Sequence, residues 1–242
     1  MSAGHSGPNY APVEARGTRI EVLRGLLAAN DRTAAHNRRH FDAARVLAVN
    51  LMSSPGAGKT SLLEASIEAL AAEYAIAVIV GDLETDNDAR RIRAKGVPVV
   101  QITTGSACHL DAAMVHDAWH RLAQDRVDIL FIENVGNLVC PASFDLGQHH
   151  DVVLLSVTEG DDKPAKYPVM FRAADLLLIS KVDLLPFLDD FDQDKATRSL
   201  RRIANPAPVL PLSSRRRVGM EAWLAWLRRM HAALPAAVEH AR

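Results

Sequence analysis

An apolar run, Val46–Met52, leads into Ser53-Ser54-Pro55-Gly56-Ala57-Gly58-Lys59-Thr60, and a helical stretch, Lys59–Glu73, starts before that segment ends. No other segment restricts the fold as much. Small residues let backbone N–H groups close around phosphate oxygens, and the helix that follows aims its positive end at the same point. Lys59 has the reach for the β- and γ-phosphates of a nucleotide, and the Thr60 hydroxyl has the chemistry to ligate Mg²⁺. Such a loop needs a strand behind it and a helix ahead of it, which places its ligand beyond the carboxyl end of the strand. Pro55, Gly56, Ala57, Gly58, Lys59, Thr60 and Ser61 are the candidate nucleotide contacts. Ser53 stands where the full pattern begins with glycine, so one flexible hinge is missing. The inert alternative is a glycine-rich turn with a chance lysine.

The alternation continues along the chain. Apolar, β-branched runs recur at Ile76–Val80, Val97–Ile102, Ile129–Ile132, Val152–Val157, Leu176–Ile179 and Val209–Leu212, with helical stretches such as Met220–Leu234 between or after them. Continuous apolar runs belong to strands covered on both faces. The expected class is α/β: a mostly parallel sheet flanked by helices, occupying residues 46–234. Residues 1–45 read as a loose tail followed by a helical arm that starts at Thr18 as N-cap, carries the stripe Ile20, Leu23, Leu27 and leans on the main domain. Residues 235–242 read as a short tail. At 242 residues and 48% hydrophobic, the chain can bury one substantial core.

Charge excludes some functions. Lys and Arg number 28 against 29 Asp and Glu, so no global basic field holds nucleic acid or an anionic membrane. No apolar run approaches the roughly 18 residues of a membrane span, and the first residues lack the apolar stretch of a signal peptide, which points to the cytoplasm. The cysteines, Cys108 and Cys140, are too few for a disulfide framework.

Ile132-Glu133-Asn134-Val135-Gly136 places a carboxylate at the end of a buried strand, three residues before a glycine, as in the acidic switch motif of GTPases. Glu133 suits the Mg²⁺ shell, and Gly136 can offer a backbone N–H to a γ-phosphate. Gly81–Asp88 carries four carboxylates in eight residues, of which Asp82, at a strand end, is the candidate for the Mg²⁺ neighbourhood. Asp86 or Asp88 could orient attacking water. Ser180-Lys181-Val182-Asp183 follows the strand Leu176–Ile179 where GTPases carry Asn-Lys-x-Asp. An acceptor-only carboxylate at Asp183 suits the adjacent N–H donors of guanine and not adenine. Ser214 is the candidate donor to the guanine carbonyl. Ser180 in place of Asn is expected to weaken affinity.

Cys108 and His109 are adjacent in a loop that opens a helix, and Cys140 follows the Glu133–Gly136 segment by four residues. Thiolate and imidazole suit Ni²⁺ or Zn²⁺, and three ligands leave a position free for exchange. The bland reading is two inert thiols and a capping histidine. His116 and His120, at i and i+4 on one helical face, read as solvated surface residues, with metal contact as the lesser alternative, and the pair His149-His150 reads the same way.

Together these motifs resemble the hydrogenase nickel-incorporation GTPase family, HypB. The resemblance spans about residues 46–227, and its most specific stretches are Ser53–Thr60, Gly81–Ile92, Gln101–Asp111, Ile132–Ala142 and Glu159–Phe171. It implies a SIMIBI-type P-loop GTPase that binds GTP/GDP with Mg²⁺, carries nickel or zinc, and dimerises with nucleotide. It implies partners as well: a nickel chaperone of the HypA type and the large subunit of nickel-iron hydrogenase. Lys59, Asp82 and Glu133 then take the catalytic roles, and Cys108, His109 and Cys140 match the family's switch-linked metal ligands. The analogy sets Lys163 near nucleotide or a dimer interface. Residues 1–45 hold neither the Cys-rich motif nor the His-rich tract of some members, so no separate terminal metal site is expected there. Arg215-Arg216-Arg217 reads as a solvated loop or a steering surface for an acidic partner. The rival readings are a chaperone GTPase for another metalloenzyme such as urease, a P-loop small-molecule kinase, and a metal buffer with a vestigial nucleotide site.

Overall fold

The structure, a computed structural model, describes residues 13–105, 107–122 and 126–235. In chain order the elements are α1 (Val13–Ala43), β1 (Leu47–Ser53), α2 (Lys59–Leu70), β2 (Ile76–Asp82), α3 (Asn87–Arg93), β3 (Val99–Thr103), α4 (Ala112–Arg121) and β4 (Ile129–Glu133). There follow β5 (His150–Ser156), α5 (Lys163–Lys166), α6 (Pro168–Ala173), β6 (Leu176–Ser180), α7 (Gln193–Arg202), β7 (Val209–Pro211) and α8 (Met220–Ala232). Short 3-10 turns lie at Pro141–Ser143 and Val182–Phe187. The outer tails, residues 1–12 and 236–242, lie outside the described residues.

All seven expected strands form, and they pair in parallel in the order β3-β2-β4-β1-β5-β6-β7. The centre of the sheet is β1, with β4 on one side and β5 on the other. Leu51 of β1 is in register with Glu133 of β4, which brings the carboxyl end of β4 beside the loop leaving β1.

Both faces are covered, which is why the strands read as unbroken apolar runs. Leu47, Val49 and Leu51 pack with Leu62, Leu63 and Ile67 of α2 and with Trp223 and Leu227 of α8. On the opposite face, Ala48, Ile79 and Leu130 pack with Phe41 of α1 and Val115 of α4. Farther along that face, Val153, Leu155 and Leu177 pack with Met170 and Phe171 of α6 and Leu200 of α7. Each such fully buried large side chain contributes about 1.5–3 kcal/mol relative to exposure. Trp223 also donates its indole N–H to Ser66 Oγ at 2.8 Å, fastening α8 to α2 behind the phosphate loop.

The arm differs from expectation. Thr18 lies inside α1, which is already helical at Val13, so it is not an N-cap. The side chains of Ile20 and Leu23 are outside the described ones; Leu27 is half-buried. The second half of α1 belongs to the core: Ala34 and Phe41 are fully buried. Phe41 meets Trp119 of α4 edge to face with ring centroids 5.3 Å apart. Polar bonds lock the position. Asn30 Nδ2 donates to Asp145 O at 2.8 Å, and Asn30 Oδ1 accepts from Ala112 N at 2.9 Å.

Candidate nucleotide and metal site

The phosphate loop takes its shape from two glycines in the left-handed region, Gly56 at φ 74° and Gly58 at φ 103°, where a side chain would strain the backbone. Gly58 is the N-cap of α2, so the helix's free N–H groups point into the loop. Lys59 is buried, and its Nζ donates to Ser53 Oγ at 2.9 Å. Ser53 Oγ in turn donates to Ser54 O at 2.7 Å. The residue that replaces the pattern's first glycine thus holds the ammonium. Burial lowers the Lys59 pKa, opposed chiefly by the charge of Glu133.

Glu133 reaches the loop from β4. Its Oε1 accepts from Thr60 Oγ1 at 2.8 Å. Its Oε2 is buried without a hydrogen-bond partner. Burial pushes the carboxyl up to about 7, against the pull of Lys59 and Thr60. An orphaned carboxylate oxygen beside a threonine hydroxyl supplies two of the hard oxygen donors that Mg²⁺ takes, so these residues fit the ion. A cleft of about 510 Å³ opens here, lined by Gly56, Lys59, Thr60, Asp82, Glu133 and Gly136 among others. Asp82 accepts from Thr85 Oγ1 at 3.0 Å. Asp88 lines the cleft with Arg91, whereas Asp86 pairs with Arg90 at 3.1 Å and does not. Of the two candidates to orient water, only Asp88 faces the site.

Gly136 abuts the phosphate loop. A Cβ there would come 2.9 Å from Pro55 Cα and 3.0 Å from Pro55 N, so no larger residue fits without moving backbone. A second cleft of about 340 Å³ adjoins the first and is lined by Ala57, Gly58, Ser180, Lys181, Asp183 and Ser214 among others. Ser180 Oγ donates to Ala57 O at 2.7 Å, so the end of β6 is tied to the phosphate loop. The loop that carries Ser214 is itself pinned: Ser213 N donates to Val218 O at 2.8 Å, and Arg217 donates to Ala65 O of α2 at 3.0 Å and pairs with Glu68. Arg217 is therefore a clamp on α2, and Arg215 lines the second cleft. A larger cleft, about 770 Å³, lies beside Val46 and Val127 at the amino ends of β1 and β4, away from these motifs.

Cys108, His109 and Cys140 come together, with candidate ligand atoms all within 4.8 Å of one another and all three residues half-buried. The Cys108 Sγ to His109 Nδ1 distance is 3.8 Å. His109 stacks on Phe144 with centroids 3.9 Å apart and an interplanar angle of 19°. Burial lowers the His109 pKa, and hydrogen bonding to Cys108 followed by burial raises that of Cys140. Asn137 Oδ1 accepts from Val139 N at 2.7 Å and Cys140 N at 3.3 Å, which shapes the turn that presents Cys140. Asp111 caps α4 by accepting from Met114 N at 2.8 Å, so Cys108 and His109 sit just ahead of that helix.

The profile of the CobW/HypB/UreG nucleotide-binding domain matches residues 47–211. The chain is 53% identical over 220 residues to the hydrogenase maturation factor HypB of Azotobacter vinelandii, spanning 91% of this chain and 72% of that protein. It is 50% identical over 224 residues to HypB of Escherichia coli K12, spanning 93% and 77%. This chain belongs to the HypB family. The crystal structure of HypB from Helicobacter pylori in complex with nickel superposes with a TM-score of 0.80 at 39% identity, over 88% of this chain and all of that one. The fold of this HypB-family chain, a parallel sheet flanked by helices with the phosphate loop after its central strand, is the fold of that structure.

One residue of the site escaped the sequence reading. Asn134 is buried, and its Oδ1 accepts from Leu110 N at 3.2 Å and Val135 N at 3.0 Å. Its Nδ2 donates to Asn50 Oδ1 of β1 at 3.2 Å. It therefore joins Leu110, the residue after His109, to Val135, the residue before Gly136, and to β1. The only signal in the sequence was an amide between a strand end and a glycine. Lys163 heads α5 with its ammonium 5.6 Å from the Tyr167 ring centroid and lines neither nucleotide cleft of this HypB-family chain. Among the described residues, no helix is long and apolar enough to cross a membrane.

Proposed function

We propose that this chain carries nickel as cargo on Cys108, His109 and Cys140, and that GTP binding and hydrolysis in the adjoining cleft change its grip on the ion. Family membership makes the chain a GTP hydrolase and a hydrogenase maturation factor. The observation that carries the coupling is Asn134, which bonds the metal loop at Leu110 while standing between Glu133 and Gly136.

In this reading the β- and γ-phosphates draw Lys59 away from Ser53 Oγ, and the N–H groups of the phosphate loop close on the oxygens. Thr60, Glu133 and Asp82 would hold Mg²⁺, which neutralises phosphate charge when bound. Asp88 positions water for in-line attack, and Asp183, Lys181 and Ser214 read guanine. Arg91 is engaged with Glu64 at 2.6 Å and Asp88 at 3.4 Å, so turnover in the range of switch proteins without a supplied arginine, roughly 10⁻⁴ to 10⁻² s⁻¹, is expected. A γ-phosphate held by the Gly136 N–H displaces that segment, and Cys140 moves with it. Coupling of this kind is reciprocal: metal then alters nucleotide affinity by the same factor. The chain works in the cytoplasm as a nucleotide-dependent homodimer, takes nickel from a chaperone of the HypA type and passes it toward the hydrogenase large subunit; Zn²⁺ competes for the same ligands. Val139, beside Cys140, is 58% exposed, an apolar side chain that a partner would cover.

The test is nickel titration with GDP and with a non-hydrolysable GTP analogue. The expected result is a difference in affinity between the two nucleotides that disappears in Cys140→Ala together with most of the binding. Binding and nucleotide dependence both unchanged in that variant would refute the coupling, and Lys59→Ala should separately abolish hydrolysis.

A further inference from the structure

On the face of the molecule formed by α1 and α4, four imidazoles gather. His36 and His40 lie one turn apart on α1, and His116 and His120 one turn apart on α4. Ring centroids are 4.2 Å apart for His36 and His40, 5.2 Å for His36 and His116, and 4.5 Å for His116 and His120. His40 and His120 are separated by 5.6 Å. Candidate ligand nitrogens of His36, His40 and His116 all lie within 4.8 Å of one another. His120 is exposed and His116 half-buried, and their neighbours in this cluster come from a helix about 80 residues earlier in the chain.

The tautomer of His116 follows from its surroundings. Asn37 Nδ2 donates to Ala112 O at 2.8 Å and to Leu146 O at 3.0 Å, so its Oδ1 is left as the acceptor. His116 Nδ1 lies 3.0 Å from that oxygen and must carry the proton. Its Nε2 then holds a lone pair. A buried acceptor that orients a histidine by its other nitrogen is the support that metal-ligating histidines use. Burial, then the neighbouring histidines, lower the pKa of His40 and of His116, which favours neutral rings.

We propose that His36, His40 and His116, with His120 as the fourth donor, form a second transition-metal site that binds Ni²⁺ or Zn²⁺ through nitrogen alone. Metal–nitrogen bonds of about 2.0–2.1 Å require the nitrogens to close to roughly 3.4 Å, a shift that side-chain rotation supplies. Imidazole donors suit both ions. A metal here cross-links α1 to α4, whose first turn follows directly on the Cys108–His109 loop, so filling this site fastens the element that carries the first one. The site is independent of the cargo reading above, and the test separates the two.

Untagged protein carrying Cys108→Ser, His109→Ala and Cys140→Ser is titrated with Ni²⁺ and, separately, Zn²⁺ by calorimetry. One equivalent of either ion is expected to bind, and adding His36→Gln and His40→Gln should weaken it at least tenfold. With Co²⁺ as spectroscopic probe, the residual site should show ligand-field bands without a thiolate charge-transfer band. In the chain with its cysteines intact, the His36→Gln, His40→Gln pair should reduce the stoichiometry from two ions to one, which guards against misfolding of the triple variant. Absence of the second equivalent in the intact chain, or its indifference to the paired glutamine substitutions, would overturn the proposal.

Discussion

Ser180 shows how much a single hydroxyl can decide. Its expected effect is a weaker guanine contact, because it is shorter than asparagine; in the structure its Oγ donates to Ala57 O and ties the end of β6 to the phosphate loop. One such net hydrogen bond contributes about 0.5–1.5 kcal/mol. Ser180→Ala should therefore lower the stability of the fold by about 0.5–1.5 kcal/mol, measured by urea unfolding, and an unchanged stability would show that the tether is idle. Lys59, Thr60 and Glu133 were legible in the sequence because their chemistry and their positions at strand ends and helix starts are local properties. Ser53 was only half legible: the missing glycine could be seen, but its bond to Lys59 Nζ depends on how the loop closes. Asn134 was not legible at all, since an amide's role depends on which donors the fold brings to it.

At the scale of elements, the strands were the most readable part. A seven-residue run such as Leu47–Ser53, buried throughout, has one reading in a chain this size. The arm was less readable. The notable contacts of α1 are with α4 and with the 145–147 turn, over 70 residues away, and local pattern carries no trace of them. Phe41 measures what that docking contributes: fully buried and set edge to face on Trp119, it should cost about 3–5 kcal/mol when truncated to Ala. Urea unfolding would give the value. A loss under 1 kcal/mol would mean that α1 is an accessory to the fold and not part of its core.

For the whole molecule, stability should depend on pH through Asp151. Burial pushes its carboxyl up to about 6 from the usual 3.8, against hydrogen bonds from Asn50 and Gln148. A raised folded-state pKa means that the native protein holds this proton more tightly than the unfolded chain between about pH 4 and pH 6. This contribution is present in full below pH 4 and lost as pH rises through 6. The stability of the wild type relative to Asp151→Asn should thus grow by on the order of 2 kcal/mol as pH falls from about 7 to 4. A difference that stays flat with pH would show that Asp151 titrates normally. Asp151 belongs to the same polar chain across the sheet, through Asn50, as Asn134 does. The contact of Gly136 with Pro55 gives this architecture a mechanical property. Where a methyl group would not fit between two loops, no rotamer is available to absorb a displacement. Main chain bears directly on main chain, like two teeth meshed without backlash, and a shift of about a few tenths of an ångström in one must appear undamped in the other.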